Sequence, residues 1–171
     1  IKATLNNLLI PYTSNYAGTL LPGIREYTVT PGEKTTTISG KGKAGLKQEE
    51  NYYFFYLPVS YKGITGKSYA YYNTSRSKNL YLPASVDENY SYDIQLPENL
   101  TLCTPIQEKK IDNPIGSFKI TLTSEGSSLH IELALQIKKQ LITPAEYPAF
   151  RSLITEWTDR TRKPILFKTV Q

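Results

Sequence analysis

The sequence is poor in the side chains that most often bind metals or act as nucleophiles. Its 171 residues include one cysteine, Cys103, one histidine, His130, and no methionine. A lone cysteine excludes an internal disulfide framework and a zinc site built on cysteines, and the single histidine argues against a transition-metal site. We therefore expect no metal cofactor, and cysteine usage does not fix the redox compartment.

Long hydrophobic runs are also missing. No apolar stretch approaches the length that crosses a bilayer, so we expect no membrane insertion. The sequence shows no signal peptide. It begins at Ile1, whereas an unprocessed product begins with methionine, and we therefore interpret the chain as a piece of a larger protein.

Charge of neither sign is concentrated along the chain. The sequence carries 20 Lys and Arg against 15 Asp and Glu, a net charge of +5 and a pI of about 9.1. Lysines are scattered, often with an acid nearby, and we find no basic helix, arginine cluster or nucleic-acid motif. We expect a solvated, mildly basic surface and no nucleic-acid partner.

Tyrosine, by contrast, is abundant: 14 residues offset a modest hydrophobic content of 39%. The run "YYFFYLPVSY", residues 52–61, predicts a strand covered on both faces, because neither alternating set is polar. Tyr52, Phe54 and Tyr56 share one face of this strand. Two interpretations remain open for them: burial in the core or against a neighbouring domain, or a platform on which sugars stack.

Most of the chain alternates as β-strands do. The clearest hairpin joins residues 118–122 to 129–137 through a Ser-Glu-Gly-Ser turn at 124–127. Residues 90–96 alternate equally well, and a hairpin with a Pro31-Gly32 turn is predicted near the start. Many short strands between turn residues predict an all-β fold, an antiparallel immunoglobulin-like sandwich.

One stretch, "LITPAEYPAFRSLITEW", is typical of an amphipathic helix. We predict a helix at about 143–161 that opens on a capping box between Thr143 and Glu146. Pro148 would bend its first turn or delay its start. The apolar stripe consists of Tyr147, Phe150, Ile154 and Trp157. Such a stripe is expected to cover an open edge or end of the sheet, and "ILFKTV" is predicted as a final strand.

The search for catalytic groups yields one pair, Cys103 and His130. A nucleophile and its base must lie within hydrogen-bond distance, yet Cys103 ends a strand before a proline and His130 falls on the polar face of another. Nothing in the sequence pairs two acids in one cleft, and "GEKTTTISGKGKAG" is not a phosphate-binding loop. We therefore expect no enzymatic activity and no cofactor, and keep a Cys103–His130 enzyme as the least favoured alternative.

Two stretches resemble a known family. They are "RSKNLYLPASVDENYSYDIQLPENLTLCTP" and "NPIGSFKITLTSEGSSLHIELALQIKKQLITPAEYPAFRSLITEW". Over residues 46–169 the chain resembles the C-terminal β-rich domain, of unassigned function, of Bacteroidetes-type multidomain transglutaminase-like proteins. The resemblance implies that any Cys-His-Asp machinery belongs to a preceding core, that Cys103 is not catalytic, and that the parent protein is exported to the periplasm or cell envelope.

These observations predict two segments. Residues 1–45 form an N-terminal segment, either a strand pair or the end of a preceding domain, and residues 46–171 form a β-sandwich accessory domain. We expect this noncatalytic domain to pack on or orient the upstream domains of the same polypeptide, or their protein or glycan substrate, with Tyr52, Phe54 and Tyr56 as an interface. The alternative is a carbohydrate-binding module of a cell-surface protein.

Overall fold

The structure, a computed structural model, describes residues 2–6, 24–31, 35–42, 46–57, 74–82, 84–159 and 164–170. These residues form thirteen strands and one helix. The strands are β1 (Lys2–Asn6), β2 (Ile24–Pro31), β3 (Thr35–Gly42), β4 (Lys47–Glu49), β5 (Tyr52–Tyr56), β6 (Leu80–Tyr81), β7 (Val86–Gln95), β8 (Leu100–Leu102), β9 (Gln107–Asn113), β10 (Gly116–Glu125), β11 (Ser128–Ile137), β12 (Leu141–Ile142) and β13 (Pro164–Thr169). The helix is α1 (Tyr147–Thr158).

The largest sheet has seven antiparallel strands in the order β2-β3-β1-β7-β11-β10-β9. The predicted central hairpin is present, and Ser124 lies opposite Leu129 next to a tight turn at Gly126. Gly126 has φ of +56°, a left-handed conformation that glycine adopts without steric cost. Along β7, β10 and β11 buried and less buried residues alternate, so one face of this sheet is core.

A second sheet has four antiparallel strands in the order β4-β5-β13-β8. The predicted final strand, β13, lies between β5 and β8. A two-stranded sheet pairs β12 with β6. Phe55, Ile165 and Phe167 from the four-stranded sheet join the same buried core as the inner face of the seven-stranded sheet. The prediction of an all-β antiparallel sandwich with one helix and a final strand is confirmed.

The helix lies over the seven-stranded sheet and contacts β10 and β11. Its predicted stripe is buried, and Leu153 joins it. The helix reaches the edge strand β9 through two polar contacts: Asn113 Nδ2 donates to the carbonyl of Ala149 at 3.1 Å, and Lys109 lies 2.5 Å from Glu156. The stripe therefore covers a face of the sheet next to its edge.

The predicted helix boundaries need correction, because α1 begins four residues later than Thr143 and ends at Thr158. Pro148 occupies the first turn, and the delayed start agrees with the second of the two effects expected of it. Only half of the capping box forms. Glu146 Oε2 accepts from the Thr143 N–H at 3.1 Å and from its hydroxyl at 3.0 Å, while Glu146 itself occupies the N-cap without a side-chain cap.

Two sequence predictions concern the N-terminal residues: a hairpin, and a separate segment at 1–45. β2 and β3 pair as a hairpin, and β1 inserts between β3 and β7, so strands from residues 1–45 extend the seven-stranded sheet. Gly32, in the predicted turn, lies outside the described residues. The division at residue 45 stays a prediction.

Candidate functional site

Sequence alternation grouped Tyr52, Phe54 and Tyr56, and the structure places all three on the outer face of the four-stranded sheet. Tyr52 is 44% exposed and Tyr56 55% exposed, and Phe54 is half-buried. The prediction that this strand is covered on both faces is therefore wrong within β5. The reason is that its partners, β4 and β13, extend the sheet sideways and the core covers only the side of Phe55.

The neighbouring strand β13 continues this apolar surface. Leu166 lies directly opposite Phe54, and Pro164 lies opposite Tyr56. Directly opposed residues of an antiparallel pair project from the same face, with Cβ atoms about 4.5–5.5 Å apart. Tyr52, Phe54, Tyr56, Pro164 and Leu166 thus form one contiguous surface, which we call the aromatic face.

Charged residues border the aromatic face. Lys47 lies opposite Phe54, Glu49 lies opposite Tyr52, and the two form an exposed ion pair at 3.4 Å. Lys168, exposed on β13, lies opposite Tyr52 on its other side. An apolar, aromatic centre with a charged rim is the usual anatomy of a protein–protein interface.

The opposite side of the sheet fixes the aromatic face in place. Phe55, Ile165 and Phe167 are buried, and Tyr53 and Leu102 pack against the same core. Because these anchors alternate with the outer residues along the same strands, the aromatic face is presented on a rigid support. A preformed surface loses little conformational freedom when a partner binds.

The other sequence candidates lie apart: His130 is in the seven-stranded sheet, whereas Cys103 lies just beyond a strand of the four-stranded sheet. Cys103 directly follows β8, is half-buried, and donates its backbone N–H to the carbonyl of Leu166 at 2.7 Å. His130 lies on the outer face of β11 with Nδ1 2.7 Å from Asp93 Oδ1 and Nε2 3.5 Å from Glu132 Oε1. Its imidazole therefore faces two carboxylates. The hydrogen bond to Asp93, more than that to Glu132, raises the pKa of His130.

Among the described residues, no three His, Cys, Asp or Glu side chains are grouped closely enough to hold a metal ion. The helix of the described region is too short and too polar to cross a membrane.

Leu166 and Pro164 are the members of the aromatic face that sequence reasoning missed. The alternation of "ILFKTV" was the available signal, since it separates Pro164, Leu166 and Lys168 from Ile165 and Phe167. That pattern does not reveal that β13 lies beside β5. Strands far apart in sequence are brought together by tertiary packing.

Comparison with known proteins supplies the family. A family described as "Domain of Unknown Function with solved-structure structure (DUF3858)" matches residues 51–167. Among solved structures, the chain is similar to a protein of Parabacteroides distasonis ATCC 8503 named as a putative protease, with 31% sequence identity and a TM-score of 0.61. The similarity covers 71% of this chain and 24% of that one, so this chain corresponds to about a quarter of its relative's length.

No curated protein matches the chain. The family match covers more than half of the sequence and includes β5 and all but the end of β13, the two strands that carry the aromatic face. The chain therefore belongs to the DUF3858 family of domains of unknown function.

Proposed function

We propose that this chain is a noncatalytic accessory domain of a larger, exported, protease-related protein, and that its aromatic face packs on a neighbouring domain of the same polypeptide. The observation that carries the proposal is the aromatic face itself. Two exposed tyrosines, a phenylalanine and two aliphatic residues lie together on one rigid sheet. A contiguous apolar surface with a charged rim marks an interaction site.

The size of the structural relative supports a partner within the same polypeptide. The similar region makes up 24% of the relative's chain, so that protein has room for further domains beside this one. Domains of one chain commonly share interfaces of about 600–1,500 Å². Tyrosine suits such a contact because its ring is apolar while its hydroxyl tolerates water.

The noncatalytic role rests on the surroundings of the polar candidates. His130 is engaged by two carboxylates on one sheet, and Cys103 lies at the end of a strand in the other. A nucleophile and base need to be within hydrogen-bond distance, which this placement does not favour. Only the family resemblance supports transglutaminase-like chemistry in the parent protein and its location in the periplasm or cell envelope.

Hydroxyl-radical footprinting tests the proposal through side-chain accessibility. The 171-residue chain and the longer parent polypeptide would be oxidised under the same conditions and compared by mass spectrometry. We expect Tyr52 and Tyr56 to react in the 171-residue chain and to be protected in the parent. Tyr81, 70% exposed on the two-stranded sheet, is the internal control and should react equally in both.

A matched pair of variants adds an energetic test. Tyr56→Glu in the parent should lower its melting temperature, because a charge would be buried at the interface without a partner, whereas Tyr81→Glu should not. In the 171-residue chain both variants should melt like wild type. Equal oxidation of Tyr52 and Tyr56 in the two proteins would overturn the docking role. Protection by an added polysaccharide instead would favour the carbohydrate-binding alternative.

A further inference from the structure

A groove of about 500 Å³ lies beside the helix. One wall is the segment at Ser75 and Arg76, and the other is the exposed side of α1 with the turn before it. The lining includes Arg76, Pro144, Tyr147, Pro148, Arg151 and Glu156. We call it the arginine groove, because two guanidinium groups border it. None of its residues belongs to the aromatic face.

Arg76 is held in place by an aromatic ring. Its guanidinium carbon lies 5.8 Å from the centroid of the Tyr147 ring, a cation–π distance. Tyr147 is only 3% exposed, so the ring is a fixed part of the helix–sheet core. Stacking on one face of a guanidinium leaves its N–H edge able to donate to a ligand.

Arg151 follows Tyr147 by one helical turn and is exposed on the same side of α1. In the described part of the chain, neither Arg76 nor Arg151 forms an ion pair. Four described lysines, Lys47, Lys109, Lys119 and Lys139, are each paired with a glutamate. Arg76 and Arg151 are thus two cationic groups on the walls of one groove, and no described acid forms an ion pair with either of them.

The acid in the groove lining does not alter this balance. Glu156 is paired with Lys109 at 2.5 Å, on the side of the helix that faces β9. With Glu156 offset by Lys109, Arg76 and Arg151 leave the groove cationic.

We propose that the arginine groove binds a carboxylate of a peptide, an acidic side chain of an extended segment. A guanidinium matches a carboxylate with two parallel N–H donors, which a lysine does not offer. Pro144, Pro148 and the edge of Tyr147 supply an apolar floor for the flanking main chain and aliphatic atoms. This inference goes beyond the accessory role and stands whether or not the aromatic face docks on a neighbouring domain.

The test is a nuclear magnetic resonance titration of the 171-residue chain with two matched peptides. The probes are acetyl-Gly-Pro-Glu-Ala-Gly-amide and the same peptide with Gln in place of Glu, each at low ionic strength. We expect the Glu peptide to bind about fivefold tighter, as one or two partly exposed charge-assisted contacts allow. The perturbed amides should cluster at residues 74–77 and 147–156.

Three variants separate the guanidinium contacts from general charge. Arg151→Gln, on an exposed site that the core does not use, should abolish most of the preference for Glu without changing the melting temperature. Arg76→Lys keeps the charge but loses the planar fork, and should reduce the preference in the same direction. Lys110→Gln removes one exposed positive charge from β9, outside the groove, and should leave the preference intact.

Three outcomes would overturn the proposal. The first is equal binding of the Glu and Gln peptides. The second is a preference that survives in the double variant Arg76→Gln/Arg151→Gln. The third is tighter binding of glucuronate than of the Glu peptide in the same groove, which would assign the carboxylate to a glycan.

Discussion

The ring of Trp157 lies 5.9 Å from the ring of Tyr90, tilted by 39°, and this contact joins the helix to the seven-stranded sheet. Tyr90 belongs to β7 and Trp157 to the last turn of α1, and each is only 4% exposed. Aromatic pairs in this geometry contribute beyond the area they bury. The helix, which is the one helix among the described residues, is thus part of the core.

Replacing Trp157 by Ala should destabilise the chain by about 3–5 kcal/mol, because it removes a large buried ring and leaves a cavity beside Tyr90. Urea denaturation of the variant and wild type measures the difference. Arg151→Ala, an exposed change on the same helix, is the control and should alter the free energy of unfolding by less than about 0.5 kcal/mol. Wild-type stability of the Trp157 variant would show that the helix does not depend on this contact.

Gly116, the first residue of β10, lies under the backbone of the paired strand. A Cβ added there would fall on the carbonyl oxygen of Gln136 and only 2.8 Å from its carbonyl carbon. Since backbone atoms cannot yield as a flexible side chain does, Gly116→Ala should cost about 1–3 kcal/mol or more. Thermal unfolding measures this cost.

Gly126 provides the comparison. A Cβ added there has no atom within 4 Å, so only the positive φ disfavours a larger residue. Gly126→Ala should cost about 1 kcal/mol through backbone strain alone. A Gly116→Ala variant that is no less stable than Gly126→Ala would contradict the expected clash.

Glu146 is expected to make stability depend on pH on the acid side. The ion pair with Lys139, followed by hydrogen bonds from Thr143, lowers the pKa of Glu146 to about 2. Because the folded pKa lies below the unfolded one, this stabilisation is full above about pH 4.3 and declines as the pH falls towards 2. The difference in unfolding free energy between wild type and Glu146→Gln should shrink over that range. Glu98→Gln, at an exposed turn, is the control for removal of one surface carboxylate.

His130 should act in the opposite pH direction. Its pKa is raised, first by the hydrogen bond between its ring and Asp93, which outweighs the lowering effect of desolvation, and further by Glu132. A raised folded pKa means that stabilisation is full below about pH 6.5 and is lost as the pH rises through the folded value. Asp93→Asn should lower the pKa of His130 and flatten this dependence.

Proton magnetic resonance of the imidazole gives the His130 pKa directly, since the chain has one histidine and its signals need no assignment. Asp87→Asn, on the same strand but away from the imidazole, is the matched control. An unchanged titration midpoint in Asp93→Asn would mean that the 2.7 Å contact does not persist in solution.

Local patterns of the sequence predicted much of the fold. The β10–β11 hairpin follows from strict alternation on both sides of a glycine turn, and the buried stripe of α1 follows from helical spacing. The start of α1 was wrong by four residues, because Glu146 accepts from Thr143 in a turn before the helix and Pro148 occupies its first turn. A helix that starts at Thr143 and a turn that precedes Tyr147 differ little in local free energy, so the sequence alone does not show which one forms.

The candidate site was predictable only in part. Alternation grouped Tyr52, Phe54 and Tyr56 correctly, but their exposure depends on which strands flank β5, and Leu166 comes from a distant part of the chain. The arginine groove could not be foreseen, because Arg76 and Arg151 come together only when the segment before β6 lies against the helix.

The central place of β13 in its sheet has a consequence for folding during synthesis. β5 and β8 are made well before β13, yet it is β13 that lies between them. The strands β7, β9, β10 and β11 of the larger sheet are complete while the ribosome has still to deliver this strand. Until it arrives, β5 holds an unpaired edge beside exposed tyrosines, the kind of surface that chaperones bind and that promotes aggregation.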